Sequence, residues 1–220
     1  ARGFTLIEML LVVAIISLLI AILLPVLTRT KELTRISLCA SNQHQVHTAI
    51  SAYSANNSRR FPYDTDTNNG VWMWDVTRDA TTHLIESAGG KVDIFFCPSN
   101  PEQNASAYWN FSDYRVLGYF FLFQRASGPM ATFPLTGGKQ FVRSFSERYD
   151  HATQELITDA TLANGDDFTR IQGGLLHRSP HLDGKTSKPT GGNILFLDGH
   201  VSWRPFSEMA LRFWGPNHWY

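Results

Sequence analysis

One long apolar segment dominates the hydropathy pattern of this chain of 220 residues. From Phe4 to Leu24, only Thr5, Glu8 and Ser17 are not apolar. A helix of this length spans about 31 Å, close to the thickness of the hydrocarbon core of a bilayer. Buried helices of soluble cores are usually shorter, and no signal-peptidase site of the Ala-x-Ala kind follows the segment. The pattern therefore predicts a transmembrane helix over residues 4–24.

Beyond Pro25 the helix is expected to continue with a different periodicity. Apolar and small residues recur at three- and four-residue spacing before a stop at Asn56-Asn57-Ser58. This amphipathic stripe consists of Val26, Leu33, Ile36, Ala40, His47 and Ile50. We expect residues 25–56 to pack on a globular head, with Pro25 bending the helix at the junction. His44 and His47 are interpreted as polar residues beside the packing face rather than as a metal pair.

Residues 57–220 are expected to form a globular head, because short apolar runs alternate there with turn signals. The strand candidates are Val71–Trp74, Asp93–Phe96, Val116–Phe123, Glu155–Thr158 and Asn193–Leu197. Thr77–Ser87 is expected to form a second helix. Asp198-Gly199, between two apolar runs, predicts a β-hairpin with a type I′ turn. Together these elements predict an α+β fold in which a long helix packs against an antiparallel sheet.

The composition excludes several classes of function. An aromatic content of 13% argues against a disordered chain. The net charge of zero gives no sign of a nucleic-acid binder, which normally carries a basic excess. The sequence contains no nucleophile elbow, phosphate-binding glycine loop or His-Glu-x-x-His motif. We therefore expect that the chain is not an enzyme.

The segment Gly3-Phe4-Thr5-Leu6-Ile7-Glu8, followed by the apolar run, resembles the N-terminal signal of type IV prepilins and type II secretion pseudopilins. The resemblance implies that residues 1–3 are the remnant of a leader, that prepilin peptidase cuts between Gly3 and Phe4, and that Phe4 is N-methylated. It also makes Glu8 the assembly residue and Pro25 the helix-bending proline. Pairing of Glu8 with the Phe4 ammonium of a neighbouring subunit offsets the cost of both charges in lipid.

The resemblance implies a pilin-like fold and a structural role in a type IV pilus-like or pseudopilus filament. The expected partners are copies of the chain or other pilins, prepilin peptidase and the membrane. The expected location is the bacterial inner membrane, as a single-pass protein with its head outside the cytoplasm, or a cell-surface filament. A positive-inside count, with Arg29, Lys31 and Arg35 beyond the span, favours the opposite orientation, so the orientation rests on the resemblance.

The segment Asn193–Trp203, which contains Asp198-Gly199, is similar to the C-terminal His-x9-Asp-Gly motif of a prepilin-like subgroup. Three other segments also resemble that subgroup, namely Arg59–Pro62, Phe96–Ser99 and Thr158–Ala160. The spacing is longer here, because sixteen residues separate His181 from Asp198 and twenty separate His177 from it. An insertion around residues 182–190 explains the difference, and the equivalent histidine is left open between His177 and His181.

The two cysteines, Cys39 and Cys97, are a disulfide candidate, because a head outside the cytoplasm permits oxidation. Two buried free thiols are the alternative. No resident cofactor or metal is expected, and bound zinc or calcium is the weaker alternative. The candidate zinc ligands are His177, His181, Asp183, Asp198 and His200. The candidate calcium ligands are Asp159, Asn164, Asp166 and Asp167.

A second hypothesis for the function is a membrane-anchored binding protein whose head recognises a glycan or a metal. Tryptophans stack on sugars when they are exposed and fill the core when they are buried, and the core is the default. The tryptophans in question are Trp72, Trp74, Trp109, Trp203, Trp214 and Trp219.

Overall fold

The computed structural model describes residues 5–62, 72–104, 113–124, 135, 140–146, 148–171, 178–213 and 217–219. In chain order the helices and strands are α1 (Leu6–Asn56), β1 (Asp75–Thr77), α2 (Arg78–Ser87), β2 (Tyr114–Val116), β3 (Tyr119–Phe121), β4 (Glu155–Asp159), β5 (Thr161–Ala163), β6 (Gly191–Phe196), β7 (Val201–Pro205), β8 (Leu211–Phe213) and β9 (Asn217–Trp219). A long N-terminal helix is thus combined with antiparallel sheets, which confirms the predicted α+β, pilin-like fold class.

Helix α1 has 51 residues and is about 76 Å long at 1.5 Å per residue. Thr5 caps its N-terminus through a capping box. The Glu8 amide donates to Oγ1 of Thr5 (3.3 Å), and the Thr5 amide donates to Oε2 of Glu8 (2.8 Å). Pro25 lies inside the helix and does not end it. The predicted bend at this proline stays a prediction.

The two halves of α1 have different surroundings. Every side chain from Thr5 to Lys31 is exposed, whereas the buried side chains of α1 are Cys39, Gln43, Val46, Ala49, Ile50 and Ser54. The predicted amphipathic stripe is therefore partly wrong, because Val26 and Leu33 are exposed. The stripe also left out Gln43, whose amide is buried because the head supplies its hydrogen-bond partners.

The central sheet of the head has four antiparallel strands in the order β3-β4-β6-β7. Helix α1 packs against β6 and β7 on one side of this sheet and contacts α2 as well. The larger apolar cluster lies between these elements and includes Val46, Ile50, Leu84, Tyr119 and Leu195. A smaller cluster surrounds Trp74 and Phe120. Strands β1 and β2 form a separate pair, and β5, β9 and β8 form a three-stranded sheet.

Three of the predicted head elements are present. Strands β4 and β6 confirm the predictions for Glu155–Thr158 and Asn193–Leu197, and α2 confirms the second helix, for which Thr77 is the N-cap. The predicted strand at Val116–Phe123 is divided between β2 and β3. The division occurs because the Leu117 amide bonds to the Trp74 carbonyl and the Gly118 amide to the Phe95 carbonyl.

Two predicted strands are wrong. Residues 72–74 of the candidate Val71–Trp74 form a turn that precedes β1, and Val71 lies outside the described residues. Asp93–Phe95 form a 3-10 helix. In both segments consecutive apolar side chains are buried, and such a run does not by itself distinguish a strand from other buried backbone.

The hairpin of β6 and β7 is present, but its predicted turn type is wrong. The Gly199 amide donates to the Phe196 carbonyl (3.0 Å), and the Phe196 amide donates to the His200 carbonyl (2.9 Å). Residues 197–199 therefore form a three-residue loop. Within it Gly199 has a positive φ of 94°, and Asp198 does not have a positive φ. This pattern is typical of a type I turn followed by a G1 bulge.

Candidate functional site

The exposed half of α1 is the first candidate for function. Its large apolar side chains between Leu6 and Leu27 are 46–76% exposed. By length and composition, α1 is the one helix in the described part of the chain that can cross a membrane. A contiguous apolar surface of this size marks a site of membrane or protein interaction. Glu8 lies near its start, and its carboxylate also accepts a hydrogen bond from the Thr5 hydroxyl (2.8 Å).

The second candidate is a buried polar cluster between α1 and the head. It consists of Cys39, Cys97, Asp159 and His181, each at most 1% exposed. Two sulfurs, a carboxylate oxygen and an imidazole nitrogen all lie within 4.8 Å of one another. The four residues come from different segments, which are α1, the segment after the 3-10 helix, the end of β4 and the loop before β6.

Asp159 makes most of the polar contacts in this cluster. The Cys39 thiol donates to its Oδ1 (2.8 Å), and so does Nε2 of Gln43 (3.0 Å). Its Oδ2 accepts from the backbone amide of Asn193 (2.7 Å) and lies 3.1 Å from Nε2 of His181. The carboxylate is therefore oriented from the helix side by Gln43 and from β6 by Asn193.

The imidazole of His181 joins the cluster to a second carboxylate. Nε2 lies 3.3 Å from Sγ of Cys97, while Nδ1 lies 2.8 Å from Oε1 of Glu32 and 3.0 Å from the Ser99 hydroxyl. Ser99 donates to the same oxygen of Glu32 (2.8 Å). The backbone of His181 has a φ of 54°, which is uncommon for a residue other than glycine. Thr190 fixes it, because its amide and hydroxyl both donate to the His181 carbonyl (2.9 and 3.0 Å).

These contacts shift the pKa values of His181 and Glu32 in opposite directions. Burial lowers the pKa of His181, but hydrogen bonds with Asp159, Cys97 and Glu32 outweigh it and raise the pKa to about 12. Burial raises the pKa of Glu32, but hydrogen bonds from His181 and Ser99 outweigh it and lower the pKa to about 2. The imidazole of His181 therefore lies between the side chains of Asp159 and Glu32, within hydrogen-bond distance of each.

Both cysteines are buried free thiols in this structure. Burial is the largest cause that raises the pKa of Cys39 well above its usual value, and the adjacent Asp159 acts in the same direction. Burial also opposes ionisation of Cys97, but hydrogen bonds with Cys39 and His181 lower its pKa. The predicted disulfide between Cys39 and Cys97 stays a prediction, with the two sulfurs in one cluster.

Comparison with known protein families identifies the N-terminal region. Residues 1–24 match the family model described as the prokaryotic N-terminal methylation motif. This is the prepilin and pseudopilin signature. The methylation motif and the apolar helix together support membrane anchoring. Neither the curated proteins nor the solved structures include a match to this chain.

The residues predicted for processing and assembly all fall inside the methylation motif or directly after it. Gly3 and Phe4 lie within the matched range but outside the residues that the structure describes. Glu8 also lies within the matched range, in the first turn of α1, and is exposed. Pro25 follows the last matched residue.

The four residues of the C-terminal signature do not form one site among the described residues. His177 lies outside them, and His181 belongs to the buried cluster. Asp198 and Gly199 lie in the hairpin turn, where Oδ1 of Asp198 is 2.6 Å from Nδ1 of His200. A Cβ atom on Gly199 would lie 2.8 Å from Cε1 of His47. The turn therefore packs directly on α1.

The loop of residues 182–190, which connects His181 to β6, has an exposed tip, and its two ends contact each other. The amide of Asp183 donates to the Lys188 carbonyl (2.8 Å), and Leu182 and Pro189 form an isolated β-bridge. At the end of the loop, the Thr190 amide donates a hydrogen bond to the His181 carbonyl. A loop that closes at its base in this way fits the insertion inferred around residues 182–190.

The structure does not assemble either of the predicted metal-ligand sets from the residues that it describes. Asp183 accepts from the amides of Lys185 and Thr186 in its own loop. Asp167 accepts from the amide of Thr169, and Asp159 lies in the buried cluster.

The histidines on α1 and the tryptophans have mostly structural surroundings. His44 is exposed and Nε2 of His47 donates to the Leu197 carbonyl (3.2 Å), as expected for polar residues beside a packing face. Trp74 is buried in the core, and Trp72 stacks on it with ring centroids 5.4 Å apart. Trp203 is half-buried beside the His181 ring. The remaining tryptophan side chains, those of Trp109, Trp214 and Trp219, lie outside the described part.

Four residues that support the cluster are not among the site residues predicted from the sequence, namely Glu32, Gln43, Ser99 and Asn193. The helical positions carried a signal, because residues four and seven apart share one face of a helix. Glu32 precedes Cys39 by seven residues, and Gln43 follows it by four. We find no comparable local signal for Ser99 and Asn193, because their partners come from distant segments.

Proposed function

We propose that this protein is a structural subunit of a type IV pilus-like or type II secretion pseudopilus filament. The observation that carries the proposal is the coincidence of the methylation motif at residues 1–24 with a helix half that is exposed and apolar. A helix of this kind is stable either in a bilayer or against other apolar helices. In this proposal the membrane surrounds the apolar half of α1 before assembly, and the packed N-terminal helices of other subunits surround it in the filament.

Processing prepares the N-terminus for assembly. In the proposal, prepilin peptidase hydrolyses the Gly3–Phe4 amide and leaves an α-ammonium on Phe4, which is then N-methylated. The head lies outside the cytoplasm, and the span at residues 4–24 holds the subunit in the inner membrane until it assembles. The chain acts by assembly, and both covalent reactions belong to other proteins.

Glu8 supplies the register between subunits in this proposal. Both hydrogen bonds that the Glu8 carboxylate accepts from Thr5 use Oε2, and a carboxylate accepts hydrogen bonds on both oxygens. The exposed carboxylate can therefore keep its capping role and also receive the Phe4 ammonium of a neighbouring subunit. Each charge is costly alone in an apolar environment, so the pair favours one stagger between helices over others.

Substitution of Glu8 tests the proposal. Glu8→Ala is expected to enter the membrane normally and to form no filaments when it is expressed with its native assembly proteins, because the Phe4 ammonium loses its partner. Ser17→Ala, a polar-to-alanine change in the same span, is the matched control and should assemble like the unmodified protein. Electron microscopy and membrane fractionation provide the two readouts. Normal filaments from Glu8→Ala would refute the assembly role.

A further inference from the structure

The four ligand atoms of the buried cluster lie close enough together to share one metal ion. With Zn–S bonds of about 2.3 Å and Zn–N or Zn–O bonds of about 2.0 Å, the ligand atoms of such a site lie about 3.3–3.8 Å apart. Here Sγ of Cys97 lies 3.3 Å from Nε2 of His181, which lies 3.1 Å from Oδ2 of Asp159, slightly less than this separation. All four ligand atoms lie within 4.8 Å of one another, so small shifts would bring them around one ion. We propose that Cys39, Cys97, Asp159 and His181 bind one Zn²⁺ ion.

The types of ligand favour zinc over the other common metals. Two thiolates are soft ligands, which disfavours calcium and magnesium because these ions bind oxygen. An iron–sulfur cluster is usually held by four cysteines, and the chain contains two. Two sulfurs, one imidazole nitrogen and one carboxylate oxygen in a closed, buried arrangement suit a four-coordinate structural zinc site.

The residues around the cluster provide the second layer of contacts that such a site needs. A zinc-bound histidine usually donates its other ring N–H to a carboxylate, and Nδ1 of His181 lies 2.8 Å from Oε1 of Glu32. Gln43 and the Asn193 amide hold the Asp159 carboxylate. Two thiolates and one carboxylate carry three negative charges against the two of Zn²⁺, and these N–H donors stabilise the remaining negative charge.

Zinc explains more of the cluster than a disulfide does. A Cys39–Cys97 bond would use only the two sulfurs of the cluster and leave the Asp159–His181 pair beside it. A metal ion uses all four. On binding it replaces the protons of the two thiols and the proton on Nε2 of His181.

The site links the helix to the head. Cys39 belongs to α1, as does Glu32 behind His181, whereas the other three ligands belong to the head. Zinc would therefore fix the orientation of α1, including its exposed apolar half, relative to the head. This role is independent of the filament proposal, since metal content is measured on the isolated chain.

The test is metal loading of the full chain, reduced and purified in detergent. The protein is stripped of metal with a chelator, loaded with Zn²⁺ or Co²⁺, and desalted. The metal content per chain is then measured by elemental mass spectrometry. The unmodified chain should retain about one zinc ion per chain, since a four-ligand site holds a single ion. With Co²⁺ it should show the absorption of a tetrahedral site, including a thiolate-to-cobalt charge-transfer band. Because this spectrum is recorded on the unmodified chain, it tests the site even if a variant fails to fold.

Variants separate this site from adventitious binding. Cys97→Ser and His181→Gln should lose the bound zinc, whereas His44→Ala and His200→Ala, exposed histidines outside the cluster, should retain it. Glu32→Gln should weaken zinc binding by about 10–100-fold and keep the tetrahedral cobalt spectrum. The proposal is wrong if the reduced chain binds no zinc, if all variants bind it equally, or if the native protein contains a Cys39–Cys97 disulfide.

Discussion

Nδ1 of His181 lies 2.8 Å from Oε1 of Glu32, which joins the helix to the loop before β6. Glu32 follows the exposed apolar half of α1, and its carboxylate is the first contact of the helix with the buried cluster. The side chain of His181 is fully buried, whereas that of Glu32 is 27% exposed. The docking of α1 on the head therefore begins with a charged hydrogen bond at the edge of the domain.

Glu32→Gln should destabilise the head. The substitution keeps the shape of the side chain but removes the charge that faces His181 and Ser99, and hydrogen bonds to charged groups contribute about 1.5–3 kcal/mol. We expect a loss of that size in the free energy of unfolding, measured by denaturant titration with tryptophan fluorescence. Glu86→Gln is the control, because Glu86 makes a long, exposed contact of 3.8 Å with His83. Equal stability of the two variants would contradict the role of Glu32.

Gly199→Ala should be more destabilising than Gly165→Ala. Both glycines have a positive φ, of 94° and 62°, so both substitutions strain the backbone by about 1–2 kcal/mol. An added Cβ on Gly199 also meets the His47 ring at 2.8 Å, whereas at Gly165 it meets nothing within 4 Å. We expect an additional loss of about 1–3 kcal/mol at Gly199, measured by thermal unfolding. If the two variants unfold alike, the hairpin does not pack on α1 as described.

The contribution of Asp198 to stability should depend on pH. Its slight burial raises its pKa, but hydrogen bonds from the backbone and ring of His200 outweigh this and lower the pKa below the usual 3.8. A lowered pKa in the folded state stabilises the protein above the unfolded pKa, and this stabilisation is lost as the pH falls through the folded value. Asp198→Asn should therefore be less stable than the unmodified chain at neutral pH.

Denaturant titrations at several pH values check this expectation. The stability difference between Asp198→Asn and the unmodified chain should shrink as the pH falls below about 3.8 and then disappear. Asp79→Asn, on the exposed surface of α2, controls for the removal of a carboxylate. A difference that is constant across this range would show that the charge of Asp198 is not responsible.

The N-terminal helix could be predicted because its signals are local. The apolar run is continuous, and the Thr5-x-x-Glu8 spacing matches the capping box that the structure contains. Strands β4 and β6 were predictable for the same reason, since each is a short apolar run beside turn residues. The 3-10 helix at Asp93–Phe95 could not be predicted, because adjacent residues are buried there and the alternation that distinguishes a strand is absent.

The buried cluster could not be predicted as a unit, because its members meet only in the folded chain. The sequence divided them among three hypotheses. Cys39 and Cys97 formed a disulfide candidate, His181 belonged to the zinc set, and Asp159 belonged to the calcium set. No local spacing connects four residues that are separated by 22 to 62 positions from one to the next. The structure brings them together through the packing of α1 on the central sheet.

The central claim is that this chain is processed and assembled as a pilin-like subunit. The intact mass and N-terminal sequence of the protein isolated from its native membrane test that claim most directly. The account predicts a mature chain that begins at N-methylated Phe4, with the bond after Gly3 cleaved. A membrane-inserted protein in which the Gly3–Phe4 bond is intact would contradict it.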